Sequence, residues 1–271
     1  MRYLSSLLSI ILCVINASAL YGAQKTITIA GSTTVLPIAQ KCAEAYMDIT
    51  PKVNISIRGG GSGVGIAALI SKTVDIANSS RPIKDKELNT ARQKGVNPYG
   101  TVIALDGIAV VVHPQNPVNE ISLKVLKDIY TGKITNWKAL GGPDQEIVVI
   151  SRDVASGTFE VFKEKVLGGE KVKDDALMLA SNKAVATTVK DTRGAIGYIG
   201  LGYLTEDVKV LKVEGILPNA EAVRNGKYKI ARPLYMYTNG APKGLVKDFI
   251  DFILSPNGQK LVADAGFIPL N

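Results

Sequence analysis

Histidine and cysteine are almost missing from this chain of 271 residues, which carries one His and two Cys. A lone imidazole at His113 and thiols at Cys13 and Cys42 do not make a metal ligand set. His113 follows an apolar strand and precedes Pro114, with no recognisable nucleophile to serve as base, so a structural role is expected. Aromatic residues are scarce, at 6%, and basic residues are spread along the chain. That spread speaks against nucleic acid as a partner, despite a pI of about 9.3. No Gly-Lys-Ser/Thr run completes a nucleotide phosphate loop. Gly63-Val64-Gly65 lacks the context of a dinucleotide site, and Val64 stands where a hydrolase elbow around Ser62 needs its last glycine. Internal repeats and low-complexity segments are absent. After residue 23 no apolar run reaches the roughly 20 residues of a membrane span. The sequence therefore calls for no enzyme activity, no cofactor and no metal.

What remains is an ordinary globular composition, 46% hydrophobic and 21% charged, long enough for one large domain or two smaller ones. With 32 Lys+Arg against 24 Asp+Glu the net charge is +8, which favours anionic partners without choosing among them.

Residues 1–23 read as a secretory signal: a short basic start at Arg2, a nearly continuous apolar run from Leu4 to Ile15, and small residues at Ala17-Ser18-Ala19 or Tyr21-Gly22-Ala23. The expected location is the periplasm. Leu12 precedes Cys13 where a lipoprotein signal needs a small residue, so no lipid anchor is expected. Cleavage removes Arg2 and no acid, leaving a charge of +7. It also leaves Cys42 without a disulfide partner. Cys42 falls on the stripe Ile38, Cys42, Tyr46, Ile49 of a helix, which makes it a small buried hydrophobe.

Short β-type runs alternate with helical patterns in the mature chain. Strands are expected at Thr26–Ala30, Val53–Ile57 and Val74–Ala77, with helices near 35–48, 65–71 and 84–94. Such alternation indicates an α/β architecture with a mostly parallel sheet, whose ligand side is the carboxyl end of the strands. Thr101–Val112, interrupted by Asp106-Gly107 and followed by the breaker-rich segment 113–117, reads as a passage between two lobes. The second lobe is expected to hold a helix near 123–130, Trp137, a strand at 146–150, helices to about Lys190 and a strand at 195–199. Arg232–Tyr237 returns the chain, and helices near 243–254 and 256–265 cover the first lobe. The expected organisation is 24–105 plus 232–271 for one lobe and 106–231 for the other, joined by two extended passages that permit hinge closure.

Each expected strand of the first lobe runs into a polar turn of small residues: GSTTV at 31–35, RGGGSG at 58–63 and NSSRP at 78–82. A fourth turn, SRDVASGT at 151–158, places Arg152 ahead of Ser156-Gly157-Thr158 and the apolar start of a helix. Helix starts carry unpaired N–H groups and partial positive charge, glycine allows close backbone approach, and Ser or Thr adds a hydroxyl. A guanidinium adds a planar fork of donors. Singly, each turn has a local reading as a helix cap, a flexible turn or loop filler. Together they specify an anion seat, to which Arg81 and, less directly, Arg58 add charge.

GSTTV, GGGSG, DIANSSRPI, ALDGIAVVV, SRDVASGT, GAIGYIG and SPNGQKLVADAGFIPL, in this order over essentially the whole mature chain, resemble the periplasmic phosphate-binding proteins of ABC importers. The resemblance implies a two-lobed class II periplasmic-binding fold without catalysis. It also implies a monomer that delivers inorganic phosphate to membrane permease subunits. By the same resemblance, phosphate is held between the lobes by Ser32, Thr33, Thr34, Ser62, Arg152, Ser156, Gly157 and Thr158. Many relatives carry in the third turn an Asp that accepts the proton of hydrogen phosphate. Here Ser80 stands at that position, beside Arg81, so another oxyanion such as sulfate or molybdate stays open as the ligand. Asp106, or a carbonyl near the glycine turn, is the expected substitute acceptor.

Overall fold

The structure is a computed structural model that describes residues 25–270; the signal segment, with Cys13, lies outside the described residues. Among the described residues no helix is long and apolar enough to cross a membrane.

The first lobe begins with β1 (Lys25–Gly31), α1 (Leu36–Ile49), β2 (Val53–Arg58), α2 (Ser62–Ile70), β3 (Ile76–Ser79) and α3 (Asp85–Gln93). β1 pairs in parallel with β2 and β3, with Ile29 opposite both Ile57 and Ile76. Alternation decides the faces: Ile27 and Ile29 enter the main core of the lobe, while Ala30 faces the other side toward Leu69. α1 presents Ile38, Cys42 and Tyr46 at helical spacing to that core. Cys42 is fully buried, and burial pushes its thiol up to about 12. Ile49, expected on the same stripe, is 68% exposed at the last turn.

β4 (Pro98–Val112) is the long passage between the lobes. It leads into β5 (Glu120–Ile121), α4 (Leu123–Tyr130), β6 (Val148–Arg152), α5 (Gly157–Lys165), β7 (Leu177–Leu179) and α6 (Asn182–Asp191). There follow β8 (Ala195–Gly200), β9 (Lys209–Val210), β10 (Lys212–Val213) and α7 (Ala220–Arg224). In this second lobe β6 pairs in parallel with β7 and β8. Its core gathers Trp137, whose indole donates to Gly194 O at 2.9 Å, and the stacked rings of Phe162 and Tyr198.

The chain returns through β11 (Ala231–Asn239) and ends in α8 (Gly244–Leu254) and α9 (Pro256–Asp264), which lay Phe249, Ile253 and Val262 on the first core. β11 runs antiparallel to β4, with Arg232 directly opposite Asp106 where both strands pass from one lobe to the other. Beyond that point β4 pairs with β8 instead. The strand order is β2-β1-β3-β11-β4-β8-β6-β7, with β9 attached to β4.

Three elements depart from expectation for local reasons. β3 starts at Ile76, two residues late, after Asp75, whose carboxylate accepts from both the N–H and the hydroxyl of Thr28. α2 starts at Ser62, three residues early, because Gly60 and Gly61 take positive φ values of 140° and 96° and turn the chain straight into the helix. β7 interrupts the expected helices as a short edge strand with its first two residues exposed, a pattern without a buried face to betray it.

α2 lies against β1 through Gly65, where an added Cβ would stand 2.5 Å from Ala30 O and 2.6 Å from Gly31 Cα. Backbone cannot yield as a flexible side chain does. Gly65→Ala is expected to destabilise the protein by about 1–3 kcal/mol, the range for an overpacked core. A thermal midpoint equal to wild type would refute that close approach.

Candidate functional site

The four polar turns meet at the junction of the lobes. Ser32 donates its N–H to Asn78 O at 2.8 Å, and Gly61 donates to Gly31 O at 2.9 Å, which locks the first three turns together. Gly63 N–H reaches Ala155 O at 3.0 Å across to the second lobe. An added Cβ on Gly157 would fall 2.3 Å from Ser62 Oγ and 2.7 Å from Ser80 Oγ, so only glycine permits this approach. The first turns of α1, α2, α5 and α6 border the junction, through residues 32–36, Ser62, Ser156–Thr158 and Asn182.

The hydroxyls there are buried. Ser32 Oγ accepts from Thr34 N at 3.1 Å and Ser156 Oγ accepts from Phe159 N at 3.2 Å. Ser156 caps its helix, whereas Ser32 closes the turn ahead of α1, and either way the hydroxyl proton stays free to donate. Ser62 Oγ accepts from Ser80 N at 3.0 Å and lies 3.3 Å from Ser80 Oγ. Thr33 Oγ1 accepts from Arg152 Nη2 at 3.2 Å and from Asn182 Nδ2 at 3.3 Å. Thr34 Oγ1 lies 3.0 Å from Thr158 Oγ1, joining the two lobes.

The two arginines expected here differ in availability. Arg152, 1% exposed, donates through Nε to Leu179 O and through Nη2 to Ala180 O and Thr33 Oγ1; all these partners are neutral. Its Nη1 is buried with no partner. Burial, and secondarily the nearby Arg232 charge, push the guanidinium below its ordinary value, opposed by Tyr198 and Asp153. Arg81 turns its fork to Glu87, at 2.8 and 2.7 Å, and to Pro82 O. Burial alone would raise the Glu87 carboxyl, but hydrogen bonds from Arg81 and the Lys84 N–H, with the charges of both, hold it below its ordinary value. Only Nε of Arg81 is left without a partner. Among the described residues the third buried unpaired side-chain atom is Asn78 Oδ1. Arg58 is exposed and stands outside the cluster. His113 closes a turn by accepting from Gln115 N, as a structural residue would.

Asp106 is at the junction, but its carboxylate is engaged. Oδ2 accepts from Arg232 Nε at 3.0 Å and Nη2 at 2.8 Å, and Oδ1 accepts from Leu201 N at 2.9 Å. The pair is fully buried. Burial pushes the Asp106 carboxyl up and the Arg232 guanidinium down from their ordinary values, while their contact opposes both shifts. Sequence reading had left Arg232 as the start of a strand. It also donates to Ser80 O at 3.2 Å, to Thr34 Oγ1 at 3.3 Å and to Thr158 Oγ1 at 3.0 Å. Asn182, equally unforeseen, donates to the hydroxyls of Thr33 and Thr34 and accepts from Gly200 N. A signal for Arg232 did exist, since it and Asp106 are isolated opposite charges in the two apolar passages between the lobes.

Two lobes joined by paired crossing strands, with hydroxyls, helix starts and a buried guanidinium facing one another across the junction, define a solute-binding protein of the two-lobed class. The chain belongs to the PBP superfamily, whose domain model matches residues 16–257, and within it to the family of phosphate-binding protein PstS. It is 36% identical to the phosphate-binding protein PstS of Bacillus subtilis over 263 residues, covering 94% of this chain and 85% of that one. It is 32% identical to PstS of Borreliella burgdorferi over 276 residues, covering 96% and 97%. Among solved structures, a candidate phosphate ABC transporter substrate-binding protein from Clostridium perfringens, with bound phosphate, superposes with a TM-score of 0.85 at 38% identity. That match covers 91% of this chain and all of the other. An ABC-type phosphate transport receptor from Vibrio cholerae gives 0.73 at 32% identity, covering 89% and 99%.

Taking away one member of a buried ion pair leaves the other desolvated and unpaired, at a cost of about 3–5 kcal/mol. Asp106→Ala is therefore expected to move the urea unfolding midpoint sharply down with little change in slope. A midpoint within error of wild type would show that the pair at the crossing strands does not form.

Proposed function

We propose that this protein captures inorganic phosphate in the cleft between its lobes and delivers it to the membrane permease subunits of an ABC importer. The buried Nη1 of Arg152, a charged donor with no acceptor, set among hydroxyls whose protons are free, is the observation that carries this reading. The PstS relatives and the phosphate-bound Clostridium perfringens neighbour support it.

In this reading Arg152 Nη1 takes one phosphate oxygen. Thr33, Thr158 and Ser32 donate through hydroxyls whose lone pairs are already used within the protein, and Ser156 donates through a hydroxyl that accepts from Phe159 N. Thr34 acts through Thr158, and Ser62, Gly157 and the helix starts supply further donors. Arg81 contributes through Nε, its fork being held by Glu87. Ser80 Oγ, which lies beside Ser62 Oγ, keeps a lone pair for the ligand proton, a role that the engaged carboxylate of Asp106 is poorly placed to fill. Stripping water from a dianion is prohibitive without such replacement. Hydrogen bonds to a charged group contribute roughly 1.5–3 kcal/mol each, and micromolar binding needs about 8 kcal/mol net. Donors from all the turns together meet that requirement after the cost of closure, whereas a single turn does not.

The protein would work in the periplasm as a monomer, after loss of residues 1–23, with lobes of 24–105 plus 232–271 and of 106–231. It would carry out no chemistry on its ligand. Sulfate or molybdate is the competing ligand, because a serine at position 80 discriminates less by charge than a carboxylate does.

Titration calorimetry with phosphate, sulfate and molybdate tests the assignment, with phosphate expected to bind at least about tenfold more tightly than the others. Equal or tighter binding of sulfate would transfer the protein to the competing class. Arg152→Ala is expected to weaken phosphate at least about tenfold through loss of a charge-assisted bond. An unaltered isotherm would remove Arg152 from the site. Gly157→Ala, which holds the turns apart, is expected to abolish calorimetric binding while leaving the circular dichroism spectrum native.

A further inference from the structure

We propose that Arg232, paired with Asp106, is a positioning residue that fixes the direction of the hydroxyl protons in the cleft and so selects the ionisation state of the anion it admits. This rests on the phosphate reading above and adds to it a determinant of specificity.

The assignment comes from counting protons. Gly200 N–H donates to Asn182 Oδ1, so the other end of that amide is the donor, and it gives an N–H to Thr34 Oγ1 at 3.0 Å. Arg232 Nη2 gives Thr34 Oγ1 a second, longer one at 3.3 Å. A hydroxyl oxygen has two lone pairs, and with both taken its proton must go outward. The acceptor within reach is Thr158 Oγ1, at 3.0 Å. Thr158 Oγ1 also receives Arg232 Nη2 at 3.0 Å, so its lone pairs are filled in turn. Its proton then faces the junction and can only donate. Thr33 reaches the same condition through Arg152 and Asn182.

Arg232 can do this because Asp106 orients it. The carboxylate takes Nε and one proton of Nη2, leaving the other proton of Nη2 for the two threonines and Nη1 for Ser80 O. One planar guanidinium thereby touches turns of both lobes, a geometry that a lysine ammonium cannot reproduce. A corner of the cleft that only donates gives a ligand proton no acceptor, so a protonated ligand oxygen can sit there only with its proton directed elsewhere. A ligand proton must therefore find its acceptor outside that corner, at Ser80 Oγ or at the unpaired Asn78 Oδ1, so the dianion of phosphate, with one proton to place, is favoured over the monoanion, which has two.

The experiment is phosphate calorimetry across the second ionisation of phosphate, run on wild type, Arg232→Lys and the double variant Asp106→Leu/Arg232→Met. Replacing a buried ion pair by apolar residues of similar size commonly preserves the fold, so the double variant remains testable if the lysine variant is unstable. Wild-type affinity is expected to rise with pH as the dianion forms. The variants are expected to bind at least about tenfold more weakly at neutral pH, with a flattened pH profile, once the threonine hydroxyls are free to rotate and accept. Variant isotherms that superimpose on wild type would overturn the inference. So would weakening by the same factor at every pH, the mark of a purely structural pair. A wild type that takes up no phosphate would instead remove the reading of the ligand, and this inference with it.

Discussion

A guanidinium taken out of water must have its donors met, and Arg152 has one that the protein leaves unmet. Its other nitrogens are held by neutral backbone and hydroxyl oxygens, so the side chain cannot swing away to find an acceptor elsewhere. Desolvation makes such an arrangement costly in isolation and favourable once an anion arrives. The surroundings follow from that requirement. Carboxylates that would neutralise the charge in advance are kept on other arginines: Glu87 on Arg81 and Asp106 on Arg232. The turns add dipoles and hydroxyls, which strengthen the attraction without competing as counter-ions.

Neutral dipoles also suit a protein that must let go. A cluster of lysines would hold a dianion through long-range charge, whereas hydrogen bonds from turns in separate lobes vanish together once the lobes part. The contact between the lobes depends on surfaces without bulk. Gly61, Gly63 and Gly157 bring backbone from one lobe against backbone and hydroxyls of the other, and Gly61 and Gly157 leave no room for a methyl group. Glycine here serves close approach as much as conformational freedom.

The turns were legible because their chemistry is contiguous: each string of small and hydroxyl residues follows an apolar strand and opens a helix. The parallel first sheet was legible from the alternation of strand and helix patterns, and the two crossing strands and the terminal helices from their hydrophobic patterning. Arg232 and Asn182 were not. Arg232 sits in a β-type run, and its carboxylate partner is distant in sequence; only the register of β4 against β11 sets them face to face. Asn182 looks like an ordinary first-turn residue after the cap Ser181 until α6 is docked beside Thr33 and Thr34. For Arg81 the partner was close at hand. Its pairing was local, with Glu87 at the third position of α3 serving the capping box and the guanidinium at once.

The position of the Asp106–Arg232 pair ties recognition to movement. Both residues lie where the strands leave one lobe for the other, so any hinge rotation passes through their backbone. The fork of Arg232 contacts Ser80 and Thr34 on one side and Thr158 on the other. Opening the lobes would break the contact with Thr158 while leaving Asp106 and Arg232 paired on adjacent strands. The hydroxyl of Thr158 would then lose the partners that fix its proton, and the donor-only corner would exist in the closed form alone. On the role proposed for Arg232, selection among ionisation states would thus belong to closure, since an open cleft would lack the geometry that distinguishes them.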